Sequence, residues 1–331
     1  MSLLAAELIT KKVGKMNNPE STNIPYARFP GQVIAAPPCR MLNANMYGFF
    51  IKGEQSSIQT YIDQTLNQVK LPKGNYQAIT DFCMLTFTDI ENIKPTSEPF
   101  ASQGYFQETD IIIWIPVAHM IEGKMDHLYW YPAFICVNNI YALVNGRETW
   151  GFNKYLCDYT MPTADAPNTD FTITVDAFTH FSPDTKMAPV ELFSVKQTSA
   201  HNKKSFAAIA EIFEAGEEMF KNVLKMDLDM VKQLFDSFWK PQVDQLLFKQ
   251  LPDGQAKNAV YQAVCHSPSR VQKIHSIHMH FTGYEFNLNQ VDMFPLKEMF
   301  GIDLGTQPAI LPFNVLFDFN QDAAFTIAEN K

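Results

Sequence analysis

Residues 141–159 read YALVNGRETWGFNKYLCDY, and the reading of this stretch decides what kind of chain this is. It carries one lysine, Lys154, set among Trp150, Phe152, Tyr155 and Leu156 with no acidic residue beside it. Surface strands place lysine among polar residues, so an apolar setting points to a desolvated amine. Desolvation favours the neutral form, and a neutral amine is a nucleophile. The plain alternative is a lysine that snorkels its ammonium to solvent over an aromatic surface. Gly146 and Gly151 are expected to mark bends on either side of the motif. Arg147 and Glu148, adjacent on a strand, would point to opposite faces and orient the turn through separate ion pairs.

Working outward, the pattern is mostly strand. Runs rich in β-branched and aromatic residues occur at 45–53, 78–90, 105–117, 134–144, 171–178 and 273–282, separated by Pro, Gly, Asn and Asp. They predict an α+β chain, mainly antiparallel β, whose sheet closes on itself. Two stretches depart from this. Residues 56–69 have a helical face of Ile58, Tyr61, Ile62, Thr65 and Leu66, with Ser56 or Ser57 as cap. Residues 205–240 predict two helices in tandem that stop at Pro241.

Composition limits the function. The chain has 331 residues, of which 46% are hydrophobic and 18% charged, enough for a large core. A net charge of −9 and the absence of basic runs argue against nucleic acid as partner. Five scattered cysteines without a C-x-x-C fit neither a disulfide framework nor a zinc site, and they suggest a reducing cytoplasm. No G-x-G-x-x-G or P-loop follows a strand, so no nucleotide cofactor is expected. The apolar stretch near the N-terminus is too short to span a bilayer, and residues 1–22 are expected to form a flexible leader before a single domain over 23–331. His278 and His280 would share one strand face with His275 on the other, which brings two ligands together at most and predicts no metal.

The GRETWGFNK segment resembles the signature of the acetoacetate decarboxylase family, in which a lysine after a G-R-E triplet forms a Schiff base with the substrate ketone. GYFQETDIIIWIPV (104–117) is similar to the family strand that bears an active-site glutamate, and FPLKEMFGIDLGTQPAILPFNVLFDF (294–319) to its closing segment. The resemblance implies a closed, cone-shaped sheet with peripheral helices, to which 200–240 would be a helical insertion. It implies Lys154 as nucleophile and Glu108 as acid/base, with Arg147, Glu148, Tyr155, Trp150 and Phe106 supporting or lining the pocket. Tyr155 stands where the decarboxylase has a second lysine and Asn153 where it has proline; Ala44 occupies the place of its early arginine, with Arg40 nearby.

The implied activity is a cofactor-independent lyase acting on a small carbonyl substrate, through decarboxylation of an acetoacetate-like β-keto acid. Aldol-type condensation and dehydration through the same imine, or a non-catalytic binder of apolar ligands on the same fold, are the rival readings. The family and the apolar insertion suggest a homo-oligomer without a membrane partner.

Overall fold

The β-branched and aromatic runs become long strands in the computed structural model of the chain. Residues 25–28, 35–199, 203–206, 233–234, 237 and 241–330 are described. The chain divides into two units, Met1–Val33 and Ile34–Lys331, and every element below belongs to the second. In chain order the strands are β1 (Cys39–Lys52), β2 (Asn75–Ala78), β3 (Phe82–Pro95), β4 (Phe106–Ile121), β5 (Lys124–Val137), β6 (Lys154–Leu156), β7 (Asp158–Thr160) and β8 (Phe171–Ala177). They continue with β9 (Ala188–Gln197), β10 (Lys203–Phe206), β11 (Gln242–Pro252), β12 (Ala259–His280), β13 (Tyr284–Leu288), β14 (Gly305–Gln321) and β15 (Phe325–Asn330). The helices with described bounds are α1 (Gln55–Gln64), α2 (Ile140–Asn145) and α3 (Leu296–Phe300), with short 3₁₀ and π turns between strands, and residues 233, 234 and 237 are helical as well. None is long and apolar enough to cross a membrane.

The sheet closes. Strands follow the order β12-β11-β5-β4-β3-β1-β14, and β14 pairs β12 again, so these seven form a ring. The pairings are antiparallel except for a single parallel bridge, Gln245 to Trp130, between β11 and β5. The first residues of β14 leave the ring to pair with β13, from which β9, β8 and β7 extend a second sheet. Long strands with alternating faces thus serve two cores at once. On β4, Ile111, Ile113 and Ile115 pack with Phe171, Phe193 and Phe286 of the second sheet and with Ile58 and Ile62 of α1. Ile112 and Trp114 face the opposite way, joining Met46, Ile135, Leu247, Ile277 and Phe313 from the other ring strands.

Three expectations change. The run 134–144 is not one strand: β5 ends at Val137, and the Asn139 side chain accepts hydrogen bonds from the Tyr141 and Ala142 amides to start α2. An asparagine that satisfies a helix start outcompetes strand continuation there. In the 56–69 stretch, α1 is followed by a 3₁₀ turn at Leu66–Gln68, and the capping position is Glu54, without a side-chain cap bond. The expected leader over 1–22, and the tandem helices over 205–240 apart from a few positions, lie outside the described residues. Of the proposed insertion, 203–206 form β10 against β12, so Ser205 and Phe206 are strand and not helix.

Asn139 also donates to the Gln107 carbonyl, which ties α2 to the start of β4. Asn139→Ala is expected to cost about 1–2 kcal/mol in denaturant unfolding at unchanged m-value, from the lost cap and the stranded carbonyl. A change within about 0.3 kcal/mol would show that the cap contributes nothing.

Candidate active site

Period-two alternation on β4 places Glu108, Asp110, Ile112 and Trp114 on one face, and all four line a cavity of about 120 Å³ inside the ring. Lys154 arrives from β6, which pairs in parallel with β5 so that Lys154 lies beside Ile135. The turn before it is a π-helical one, Gly146–Trp150, closed by Gly151 in the left-handed region at φ 94°. Lys249 of β11 braces this turn by donating to the Thr149 carbonyl at 2.9 Å, and Trp150 Nε1 donates to the Asp322 carbonyl at 2.9 Å.

The lysine side chain runs across the turn. A Cβ added at Gly146 would lie 2.7 Å from Lys154 Cδ, so this glycine serves close passage of the lysine side chain and not a bend. Nζ donates to Glu108 Oε1 at 3.2 Å, lies 3.0 Å from Asp110 Oδ1, and sits 5.6 Å from the centre of the Phe152 ring. Lys154 and Glu108 are each only 6% exposed. The remaining walls are largely apolar, with Met41, Met46, Ile90, Phe106, Trp150 and Phe317 among them.

Charge in this setting departs from the expectation. Burial alone pushes the Lys154 amine toward neutrality, but Asp110 and Glu108 outweigh it and hold the group above its ordinary range. The resting lysine is therefore a paired ammonium; the desolvated neutral amine read from its aromatic neighbours is corrected, because strand pairing brings in carboxylates 44 and 46 positions away in sequence. Glu108 is displaced upward, first by burial and then by the Asp110 carboxylate, against the pull of the ammonium. A carboxyl so placed keeps a proton well above the usual carboxylate range.

Of the residues singled out from sequence, Lys154, Glu108, Trp150 and Phe106 come together around the cavity. Arg147 and Glu148 do not: both are exposed, on a helical turn to which strand alternation does not apply, and Arg147 donates instead to the Lys154 backbone carbonyl at 3.2 Å. Tyr155 faces the other core. Its hydroxyl accepts from Asn153 Nδ2, and its ring lies against Phe134 and Phe294. Neither Ala44 nor the exposed Arg40 lines the cavity. Sequence reading missed Asp110, Asn145 and Gln245, which do. The signal for Asp110 was present, since position i+2 from Glu108 shares its face; Gln245 lies in a segment not recognised as strand. His275 pairs with Asp318 at 2.9 Å and His278 faces Ser205 Oγ at 3.1 Å. Among the described residues no three His, Cys, Asp or Glu side chains are grouped to hold a metal ion.

The family described as Acetoacetate decarboxylase (ADC) matches residues 23–233, and the chain belongs to this family. No curated protein matches the sequence. Solved structures resemble it in fold. The acetoacetate decarboxylase of Legionella pneumophila has a TM-score of 0.59 at 11% identity, covering 93% of this chain and 94% of that one. An acetoacetate decarboxylase-like enzyme from Sphingomonas wittichii RW1 has a TM-score of 0.56 at 13% identity, over 93% and 99%. The enduracididine biosynthesis enzyme MppR, complexed with the condensation product of pyruvate and imidazole 4-carboxaldehyde, has 0.52 at 10% identity, over 94% and 99%.

Two outcomes check this geometry. Asp110→Asn removes a carboxylate that holds the ammonium, so the pH profile of Lys154 modification by an amine reagent, followed by peptide mass spectrometry, is expected to move down by on the order of one unit. Gly146→Ala is expected to leave the protein folded while displacing the lysine, and so to slow modification of Lys154 at least tenfold; an unchanged rate would contradict the close passage of side chain over glycine.

Proposed function

We propose that Lys154 forms a Schiff base with a small-molecule carbonyl substrate, and that the chain acts as a lyase without a cofactor, decarboxylating a β-keto acid. One observation carries the reading: a buried amine within 3.2 Å of two carboxylates in an apolar cavity of this family's fold. Asp110 accepts the ammonium proton, protonated Glu108 gives its proton to the carbonyl oxygen, and the amine lone pair closes the N–C bond to the substrate carbonyl carbon. The oxygen leaves as water, its two protons given by Glu108 and made good from the lysine nitrogen, directly and through Asp110. The protonated imine that remains stays opposite Asp110. In a β-keto acid the bond to the carboxyl carbon then breaks, its electron pair moves into the iminium to give an enamine, and carbon dioxide departs. Protonation at carbon and hydrolysis release the ketone and restore Lys154. A carboxyl whose affinity for protons is raised suits this relay near neutral pH.

A second reading, condensation and dehydration through the same imine, draws on the condensation product held by MppR in its complex. Both readings share the first covalent step. Five buried free cysteines support the reducing cytoplasm as the setting.

Borohydride trapping with a panel of β-keto acids, ketones and aldehydes is the test. Wild-type protein is expected to gain a stable adduct on the Lys154 peptide, Lys154→Ala none, and Glu108→Gln to slow adduct formation about 10²-fold or more. Release of carbon dioxide assigns decarboxylation; its absence with a condensed product assigns the second reading. A folded protein that traps nothing across the panel, yet still binds ketones, would be a binder and would sink the proposal.

A further inference from the structure

The cavity has a second polar pole that the imine chemistry does not use. Inward positions on β11 alternate as Val243, Gln245 and Leu247, so a glutamine stands between two apolar residues on the face turned to the ring interior. Gln245 is only 5% exposed, and its Oε1 is fully enclosed without a hydrogen-bond partner among the described residues. The group across from it does not help. Ser267, its neighbour on β12, donates to the Asp322 carbonyl at 3.0 Å and accepts from Gln321 Nε2 at 2.6 Å, so its hydroxyl proton is committed elsewhere. A buried acceptor left unpaired is destabilising, whereas a leucine would fill the same position without that cost.

The distance from the nucleophile follows from the register on β5. Gln245 pairs with Trp130 and Lys154 with Ile135, five residues apart, which is roughly 16 Å along the strand at about 3.3 Å per residue. Both side chains are long and reach into the intervening cavity, whose walls include the apolar Met46, Trp114 and Phe317.

We propose that Gln245 determines specificity by accepting a hydrogen bond from a distal donor, a hydroxyl or amide N–H, on a carbonyl substrate with an apolar body longer than acetoacetate. The proposal rests on the reading of Lys154 as imine former. It places the carbonyl at Lys154, the hydrocarbon against Trp114, Met46 and Phe317, and the donor at Gln245 Oε1.

The test compares a series of 2-alkanones of increasing length with their terminally hydroxylated counterparts, by borohydride trapping at Lys154. At the matching length the hydroxyl is expected to lower the half-saturating concentration about tenfold in wild-type protein. In Gln245→Leu that advantage disappears, so that the half-saturating concentrations of each hydroxylated and plain pair become equal whatever their absolute level. Equal half-saturation for every pair in wild-type protein overturns the proposal. Binding of the same pairs to Lys154→Ala, read by tryptophan fluorescence, separates the two hypotheses. A hydroxyl preference there, without any trapping in wild type, would sink the imine and keep the distal site; no preference in either protein would sink the distal site.

Discussion

Everything around the cavity answers to one constraint: an ammonium and two carboxylates share a place from which water is largely excluded. Desolvation costs several kcal/mol per ion even after relaxation, and pairing offsets it only with close geometry. The cluster meets this with one more acid than base. Lys154 neutralises one carboxylate charge, and the surplus is relieved by the raised proton affinity of Glu108. The same imbalance that burial punishes leaves an amine and two carboxylates within one hydrogen-bond length of each other, the arrangement that the proposed imine chemistry would use.

Such a cluster needs a scaffold that fixes three side chains from two strands. A closed ring supplies it, because closure makes one face of every strand interior and alternation then dictates which residues enter. Glu108 and Asp110 follow each other onto that face of β4 as Ile112 and Trp114 do. The lysine comes from a different kind of element. Its three-residue strand occupies the edge of β5 next to the stretch bridged to β11, and the π turn ahead of it is held at its C-terminal end, by Gly151 in the left-handed region and by the Lys249 contact to Thr149. The Trp150 bond to the Asp322 carbonyl ties the turn to the far end of β14, so Lys154 is referenced to the ring and not to a loop.

Much of the fold was legible in sequence, because strands that serve two cores carry strong β-branched and aromatic runs: β1, β3, β4 and β8 coincide largely with the runs identified, whereas β5 and β12 meet theirs only over their C-terminal parts. Less legible were elements decided by single side chains. Asn139 converts the tail of an apparent strand into a helix, and Gly146 looks like a bend but is a clearance for Lys154 Cδ. The site was half legible: residue type and motif marked Lys154 and Glu108, whereas the charge state of the lysine depends on Asp110 and Glu108 across the sheet, contacts that no local window contains. Gln245 carried no signal, since a glutamine in a half-apolar segment acquires meaning only when its strand is known to face inward.

Alternation also settles what the tyrosine next to Lys154 does. Successive residues of β6 point to opposite faces, so whatever follows Lys154 is placed in the outer core, and here it is a ring packed on Phe134 and Phe294. A cation at that position would act on Lys154 only across the sheet, and its replacement by tyrosine removes no charge from the cavity. Control of the amine therefore falls to groups on the inner face, where two carboxylates favour the protonated form. Under the Schiff-base reading, a carbonyl compound entering the cavity would displace solvent and strengthen the desolvation that opposes those carboxylates, so that release of the amine would be coupled to occupancy of the cavity.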